Sequence, residues 1–450
     1  MPSFLPRSIG ARVFFVGLLI VIAVAIGLFW GDYFYTQERF PYNTYIENVD
    51  VSLLSIGEAR GKLERTPINQ AVKVSPSLYY NETGVTGEFR FVPSEIGLYI
   101  KTYETVRSAF ESTHRHSFIR SLAQRISKER NEVPLILGVD DKVLRPILLT
   151  LTLEVNAASQ EAKVILKEKG AYDLIPDIPG RKLEISESIN KIGLSLLAGE
   201  RRLPLSVKVL LPRVQMKDLV AHPPVHQISR FETFYGSHDS PNRISNIKTI
   251  AGWIDKTILL SGETFSLLNV IGDFTPERGF KEAFVIVGDE LVPEYGGGTC
   301  QIATTLFNTV LLADLEIVQR RNHSIWFNIY PLGRDATVYP GITDFKFRND
   351  TGRPIMLAAK ATKHSLTFMV YGTTTSKEVS FSSPIVTYFS STEGKKITTW
   401  RLPGPNHPYN TVVTVTTKQG GKVIREQEFH SYYHEEGDKG VIKIKRPEPR

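Results

Sequence analysis

At 450 residues, with 42% hydrophobic and 22% charged side chains, the chain has an ordinary globular composition, which excludes wholesale disorder and a collagen-like fibre. It is too long for one compact core, so several domains are expected. The net charge of +7 suits acidic surroundings such as anionic lipid or wall polymer, but the sequence lacks the dense Lys/Arg stripe of a nucleic-acid groove, and no nucleic-acid partner is expected.

The chain opens with residues 1–12, read as a cytoplasmic tail, and residues 13–30, read as a transmembrane helix. Val13 to Trp30 is an unbroken run of apolar residues and glycines, close to the roughly 20 residues that cross a hydrocarbon core. Arg7 and Arg12 precede it, and Asp32 and Glu38 follow it. The positive-inside rule therefore leaves the N-terminus in the cytoplasm and the bulk of the chain extracellular. Phe29, Trp30, Tyr33, Phe34 and Tyr35 suit the outer interface. A small-x-small cleavage site does not follow the run, which favours a retained single-pass anchor over a signal peptide.

Residues 43–130 and 131–213 read as two copies of one α+β unit. Phe91, Pro93, Gly97, Ile100, Glu104 and Val106 recur about 83 residues later as Leu174, Pro176, Gly180, Leu183, Glu187 and Ile189, a fixed interval that marks a tandem repeat. In each copy a strand ends at a Pro-x-x-x-Gly turn and a helix starts near Glu104 or Glu187. Alternation predicts strands over Ala71–Val74 and Leu205–Val209. The residues fit a spacer and a polymer-binding module equally.

A linker follows with His222, Pro223, Pro224 and His226. The prolines forbid the helix that would bring the two histidines to one metal, and no metal site is expected there. Residues 228–360 form the next domain. Residues 377–445 read as an accessory all-β module, with strands over Thr411–Thr416 and Lys422–Phe429 joined by a turn at Lys418–Gly421.

The densest chemical signal is Gly296-Gly297-Gly298-Thr299-Cys300-Gln301. It runs into an apolar stripe at 302, 303, 306, 307, 310 and 311 that predicts a buried helix with Cys300 in its first turn. Cys300 is the sole cysteine, so it has no disulfide partner, no zinc cluster and no resolving thiol for redox work. A helix N-terminus stabilises an anion and lowers a thiol pKa. The loop of Gly296, Gly297, Gly298 and Gln301 is the candidate oxyanion and substrate loop. Downstream, His323 precedes a predicted strand over Ser324–Tyr330, and Gly333-Arg334-Asp335 opens another. Nucleophile on a helix start, then histidine, then carboxylate is the chain order of papain-like and transglutaminase-like thiol enzymes. Cys300, His323 and Asp335 are the candidate catalytic residues, with His323 as base and acid and Asp335 as its orienting group. The bland alternative is a structural cysteine capping a tight turn. Asn246, Ser261 to Phe265, Glu277 to Phe280 and Glu290 supply polar turns that could line a cleft, and Arg334 is left unassigned. No organic cofactor is expected.

The segments Asn242–Ile247, Ser261–Ser266, Glu277–Ala283, Gly296–Gln301, His323-Ser324 and Gly333–Val338 together resemble the VanW family, named after an accessory protein of vancomycin-resistance clusters. The membrane helix and repeats in front of this domain resemble the usual family layout, in which the repeats are peptidoglycan-binding modules. The resemblance implies a Gram-positive cell-membrane protein that takes peptidoglycan or another wall polymer as partner and the lipid bilayer through residues 13–30. It implies no settled reaction. The expected whole is α+β, with a papain- or transglutaminase-like core as one candidate for the VanW-like domain. A thiol acyltransferase or amidase and a non-enzymatic wall-binding scaffold both remain open.

Overall fold

The computed structural model describes all residues except 1–8, 83, 115–129, 237–238, 288–289, 391, 404–406, 435–442 and 445–450. Arg7 and most of the expected cytoplasmic tail thus lie outside the described residues, as does the end of the expected C-terminal module. The architecture is mixed α and β, with several small sheets and one long apolar helix at the N-terminus. That helix, α1 (Ile9–Tyr35), contains the stretch Val13–Tyr35 of 23 residues, long and apolar enough to cross a bilayer. The same length and composition serve a membrane span or a signal sequence.

The chain divides into two compact units, the first comprising residues 1–159 and 179–211. After α1 it contains β1 (Thr44–Ile46), β2 (Val49–Asp50), α2 (Ile56–Arg65), α3 (Ile68–Ala71), β3 (Ser77–Glu82), β4 (Val85–Arg90), β5 (Leu98–Ile100), α4 (Thr102–His114), β6 (Asn131–Val133), β7 (Leu137–Val139) and α5 (Asp141–Val155). The hairpin β8 (Lys163–Leu166) and β9 (Tyr172–Ile175) belongs to the second unit. The first unit then resumes with β10 (Gly180–Leu183), α6 (Ile185–Leu197), β11 (Arg202–Pro204) and β12 (Val207–Leu210).

Local chemistry sets these boundaries. Ser55 and Glu58 form a reciprocal capping box at the start of α2, and the Asp140 carboxylate caps α5 by accepting from Lys142 N–H. The strand expected over Ala71–Val74 does not form. Pro67 opens the short helix α3, which closes at Ala71, and the following residues run irregularly. The two helices expected near Glu104 and Glu187 start at Thr102 and Ile185. Each follows a short strand, β5 or β10, that pairs antiparallel with β7 or β12 respectively. Phe40, Ile46, Leu63, Leu78, Leu144, Leu148, Ile192 and Leu203 bury the core of this unit.

The second unit comprises residues 160–178 and 212–450. Its elements are α7 (Met216–Val220), β13 (His226–Phe234), α8 (Pro241–Ile254), β14 (Ile258–Leu259), β15 (Thr264–Ser266), α9 (Leu267–Ile271), β16 (Glu282–Val287), β17 (Glu290–Tyr295), α10 (Thr299–Leu312), β18 (Glu316–Gln319), β19 (Lys346–Arg348), β20 (Ile355–Ala361), β21 (Ser365–Gly372), β22 (Lys377–Phe381), β23 (Ile385–Ser390), β24 (Lys395–Thr399), β25 (Tyr409–Gln419) and β26 (Lys422–Tyr433). A four-stranded sheet runs β13-β21-β20-β14, and a three-stranded sheet runs β15-β19-β18. In the C-terminal sheet the long hairpin β25–β26 turns at Gly420-Gly421, and β25 pairs on its other side with β22 and β23.

The helix α10 lies at the centre of this unit. Ile302, Ala303, Leu306, Phe307 and Val310 are fully buried, and so are the polar residues Gln301, Thr304, Thr305, Asn308 and Thr309. Burial of so many polar groups is tolerated because each makes at least one hydrogen bond. The Thr305 hydroxyl meets that of Thr233 on β13 at 2.8 Å, Thr304 Oγ1 donates to Ala336 O at 2.9 Å, and Asn308 Nδ2 donates to Arg334 O at 2.7 Å.

The strands expected over Ser324–Tyr330 and from Gly333 onward do not form. From Arg320 to Asp344 the chain is an irregular loop between β18 and β19, with only an isolated bridge between Tyr339 and Thr343. The alternation of Trp326, Phe327 and Tyr330 looks strand-like, but Phe327 and Tyr330 pack round the His323 ring instead.

Candidate active site

Three consecutive glycines deliver the chain to the first turn of α10. Gly296 and Gly298 have φ of +116° and +106°, a region that side chains other than glycine rarely adopt. A Cβ on Gly298 would sit 2.7 Å from Ile247 Cγ1, and one on Gly297 would sit 2.6 Å from the Ala283 Cβ. These glycines therefore bring the loop hard against α8 and β16. Asn246, fully buried on α8, fastens it: its Nδ2 donates to Gly297 O at 3.2 Å and to Lys281 O at 2.8 Å, while Lys281 N donates back to its Oδ1 at 2.8 Å.

This anchoring fixes Cys300 as the second residue of α10. The Thr299 and Gln301 N–H groups donate to Gly296 O and Gly298 O. The Cys300 N–H meets no carbonyl among the described residues, so it is an open donor beside its own sulfur. Gln301 points the other way: its Nε2 donates to Thr233 Oγ1 at 3.0 Å and to Phe234 O at 3.2 Å, and its buried Oε1 has no partner among the described residues.

Half-buried Cys300 meets three groups from the loop that follows β18. Its Sγ lies 3.3 Å from Thr337 Oγ1 and 3.9 Å from Val338 O, and the His323 imidazole lies near enough to act on its charge. His323 in turn lies against Asp335, with Nδ1 to Oδ2 at 2.7 Å and the His323 backbone N–H donating to the same oxygen at 2.7 Å. The fold thus brings Cys300, His323 and Asp335 to one site, with His323 hydrogen-bonded to Asp335 and the sulfur hydrogen-bonded to Thr337.

The electrostatics follow from that chain. Burial works against ionisation of Cys300, but the His323 hydrogen bond and charge, with the Thr337 hydroxyl, outweigh it and bring the thiol down to about 7. Burial likewise works against a charged His323, yet the Asp335 hydrogen bond and the Cys300 sulfur raise it to about 9. Burial opposes the Asp335 carboxylate too. Hydrogen bonds from His323 and Tyr433 and the charge of Arg320 hold it below the ordinary carboxylate value. The two directions, down for the thiol and up for the imidazole, favour a thiolate facing an imidazolium.

Several contributors carry no local sequence signal. Arg320, rather than Arg334, is the Asp335 ion-pair partner, at 3.4 Å to Oδ1, and it also donates through Nε to Asp335 O at 2.7 Å. Arg334 instead places its guanidinium over the Phe381 ring, 3.9 Å from the centroid. Tyr433, at the end of β26, donates to Asp335 Oδ1 at 2.6 Å. Thr337 was legible only as part of the Gly333–Val338 segment. Tyr330 stacks on His323 with ring centroids 5.9 Å apart, and burial holds its phenol well above the ordinary value, in the field of Arg243, Cys300 and Asp239. Arg243 and Asp239 form an ion pair of 2.8 Å at the start of α8. Glu290 lies on β17 with its side chain outside the described residues. Among the described residues, no three His, Cys, Asp or Glu side chains converge as a metal site would require.

Comparisons with known proteins match two separate stretches of the chain. Residues 242–371 match the family model described as "VanW like protein". The chain carries a VanW-family domain. Residues 89–204 match the model described as "Putative peptidoglycan binding domain", so the VanW domain is joined to a peptidoglycan-binding domain and a cell-wall-associated role follows at that level. "Uncharacterized protein YoaR" of Bacillus subtilis (strain 168) is 39% identical over 162 residues, covering 36% of this chain and 53% of that protein. "Vancomycin B-type resistance protein VanW" of Enterococcus faecalis (strain ATCC 700802 / V583) is 31% identical over 115 residues, covering 24% of this chain and 42% of that protein. The chain spans about half the length of the curated relatives it matches. No solved structure matches.

Proposed function

We propose that this VanW-family protein is a membrane-anchored envelope enzyme that engages peptidoglycan and uses Cys300 as the nucleophile for acyl transfer or hydrolysis at amide bonds of peptide stems. The observation that carries the reading is the convergence of Cys300, His323 and Asp335, with His323 hydrogen-bonded to Asp335 and the thiol, lowered to about 7, beside an imidazole raised to about 9. A buried structural cysteine has no need of an imidazolium held by a carboxylate.

In this reading the Cys300 thiolate attacks a substrate carbonyl carbon, and the developing oxyanion is met by the open Cys300 N–H at the positive end of α10. His323 then gives its proton to the leaving amine, the C–N bond breaks, and a thioester remains on Cys300. A second amine, or water, attacks the thioester with His323 accepting its proton, and the thiolate returns. An amine acceptor makes the reaction a transfer, and water makes it a hydrolysis. The order Cys, His, Asp follows papain-like enzymes, although here His323 and Asp335 lie on an irregular loop, so any likeness is of roles rather than of core.

Two further parts belong to the proposal. The apolar stretch Val13–Tyr35 anchors the chain with its bulk outside the membrane. Residues 43–213 act as two peptidoglycan-binding repeats, a reading supported by the family match over residues 89–204 and by the strand-then-helix order β5–α4 and β10–α6 that recurs at the repeat interval.

The test is to incubate detergent-solubilised full chain with soluble peptidoglycan fragments that carry peptide stems and examine Cys300 by mass spectrometry. A thioester adduct, absent in Cys300→Ala, supports the enzyme. Retention on insoluble peptidoglycan with neither adduct nor changed fragments makes the chain a wall-binding scaffold.

A further inference from the structure

We propose that Tyr433, on the last strand of the C-terminal sheet, is a positioning residue of the Cys300 site, so that the catalytic unit extends past the residues that match the VanW family. The inference rests on the reading of Cys300 as nucleophile and adds to it a part supplied about a hundred residues later in the chain.

The argument begins with the division of labour on Asp335. Its Oδ2 is taken by His323, which donates through both backbone and ring. Its Oδ1 is taken by the Tyr433 hydroxyl at 2.6 Å and by Arg320 at 3.4 Å. A carboxylate with donors on both oxygens cannot rotate about its Cβ–Cγ bond without breaking bonds in a dry site. Tyr433 is itself fully buried. Its hydroxyl also accepts from Gly333 N–H at 3.2 Å, and its ring packs on Tyr409 with centroids 5.1 Å apart. Burial, then the Asp335 charge, keeps the phenol protonated across the working range, so it acts as an obligate donor.

The surrounding contacts are of the same kind. The loop that holds His323 and Asp335 has no strand ladder of its own, and the free edge of β26 stands in for one. Arg320 Nη1 donates to His430 O at 3.2 Å, Asn322 Nδ2 donates to Tyr432 O at 2.7 Å, and His434 N donates to Ser324 O at 2.7 Å. These three contacts fall on Arg320, Asn322 and Ser324, all within three residues of His323. The family match ends at residue 371, well short of β26.

Tyr433→Phe in the full chain keeps the ring and its stack and removes only the hydroxyl. The readouts are the His323 Nδ1–H proton resonance and the rate of Cys300 alkylation against pH. The titratable and charged groups facing this centre are Cys300, Asp335, Arg320 and Tyr330, with Arg243 and Asp239 beyond Tyr330. Loss of positioning predicts that the Nδ1–H proton broadens through exchange with water and that alkylation at pH 7 slows several-fold. If Tyr433 tuned charge alone, its loss would leave Asp335 a stronger base, and the Nδ1–H resonance would persist to higher pH; that outcome, or no change, overturns the proposal. Should the variant fail to fold, the wild-type Tyr433 hydroxyl proton decides, since a proton in rapid exchange with water is incompatible with the bond to Asp335. None of these readouts needs a substrate, so absence of peptidoglycan turnover would remove the enzyme reading while leaving this one standing.

Discussion

One oxygen of Asp335, Oδ2, accepts from His323 twice, from the backbone N–H and from ring Nδ1, each at 2.7 Å. An ionised carboxylate can only accept, so Nδ1 carries the proton and Nε2 is the nitrogen left for the Cys300 sulfur. The double grip fixes both where the histidine sits and which way its ring faces.

The first prediction concerns the thiol. With Cys300 near 7 and His323 near 9, the rate of alkylation is expected to rise with a midpoint close to pH 7. In His323→Ala the partner cation is gone while burial remains, so the midpoint moves above that of an ordinary thiol, about 8.5, and the rate at pH 7 falls by roughly tenfold or more. Iodoacetamide labelling followed by mass spectrometry measures both. A wild-type midpoint at or above 8.5 removes the activated thiolate.

Asp335→Asn preserves shape and removes charge, leaving Arg320, with 5% of its side chain exposed, as an uncompensated buried cation. Breaking such a pair is expected to cost about 3–5 kcal/mol at neutral pH. The Asp335 pKa is lowered on folding, so its contribution is present above the ordinary carboxylate value and lost as pH falls through the folded one. The His323 pKa is raised to about 9, so its share is present below the ordinary histidine value and lost as pH rises through 9. Urea denaturation of both proteins should therefore show a gap that is widest between the ordinary carboxylate and histidine values, roughly pH 4 to 6.5, and narrows in stronger acid and as pH rises through 9. A gap independent of pH would mean that the aspartate acts only through packing.

Much of this site could be read in advance because its signals were local. Three glycines before a lone cysteine and an apolar stripe specify a helix start with a close approach. The loop after β18 was misread as two strands because aromatic residues spaced for alternation serve equally well as a cage around His323, and only tertiary contacts distinguish the two. Arg320 and Tyr433 could not be found from sequence at all. Both reach Asp335 through the fold, and nothing in the pattern around residue 433 distinguishes a buried donor from any inward-facing strand tyrosine. In the first unit, Ala71–Val74 failed as a strand because Pro67 nucleates a helical turn that alternation does not register.

Gly298→Ala tests whether the glycine loop is a packing device. The residue sits at φ +106°, and an added Cβ would lie 2.7 Å from Ile247 Cγ1 and 3.3 Å from Arg243 O. Backbone strain and overpacking together are expected to cost roughly 2–4 kcal/mol. Because the loop sets the start of α10, the Cys300 alkylation midpoint should also rise. A thermal melt and the labelling assay report the two effects separately, and a variant as stable as wild type would show that the loop has room that the packing denies.

The last prediction lies in the first unit, where Glu47 closes a cluster of buried polar groups. Its carboxylate takes the Arg201 guanidinium, with side chains 12% and 13% exposed, and also accepts from the backbone N–H of Lys73 at 2.7 Å and of Leu135 at 3.4 Å. Glu47 N donates to Val133 O at 2.9 Å, so one residue ties β1 to the segments around β6 and ahead of β11. Glu47→Ala leaves the Arg201 charge without its carboxylate and two N–H donors without their acceptor, and the unit that carries the peptidoglycan-binding match is expected to lose about 3–5 kcal/mol. The core of this unit shares no residue with the core around α10, so Cys300 alkylation should keep its wild-type midpoint while retention on insoluble peptidoglycan falls as the first unit melts. If retention survives unfolding of this unit, the wall contact is made elsewhere in the chain.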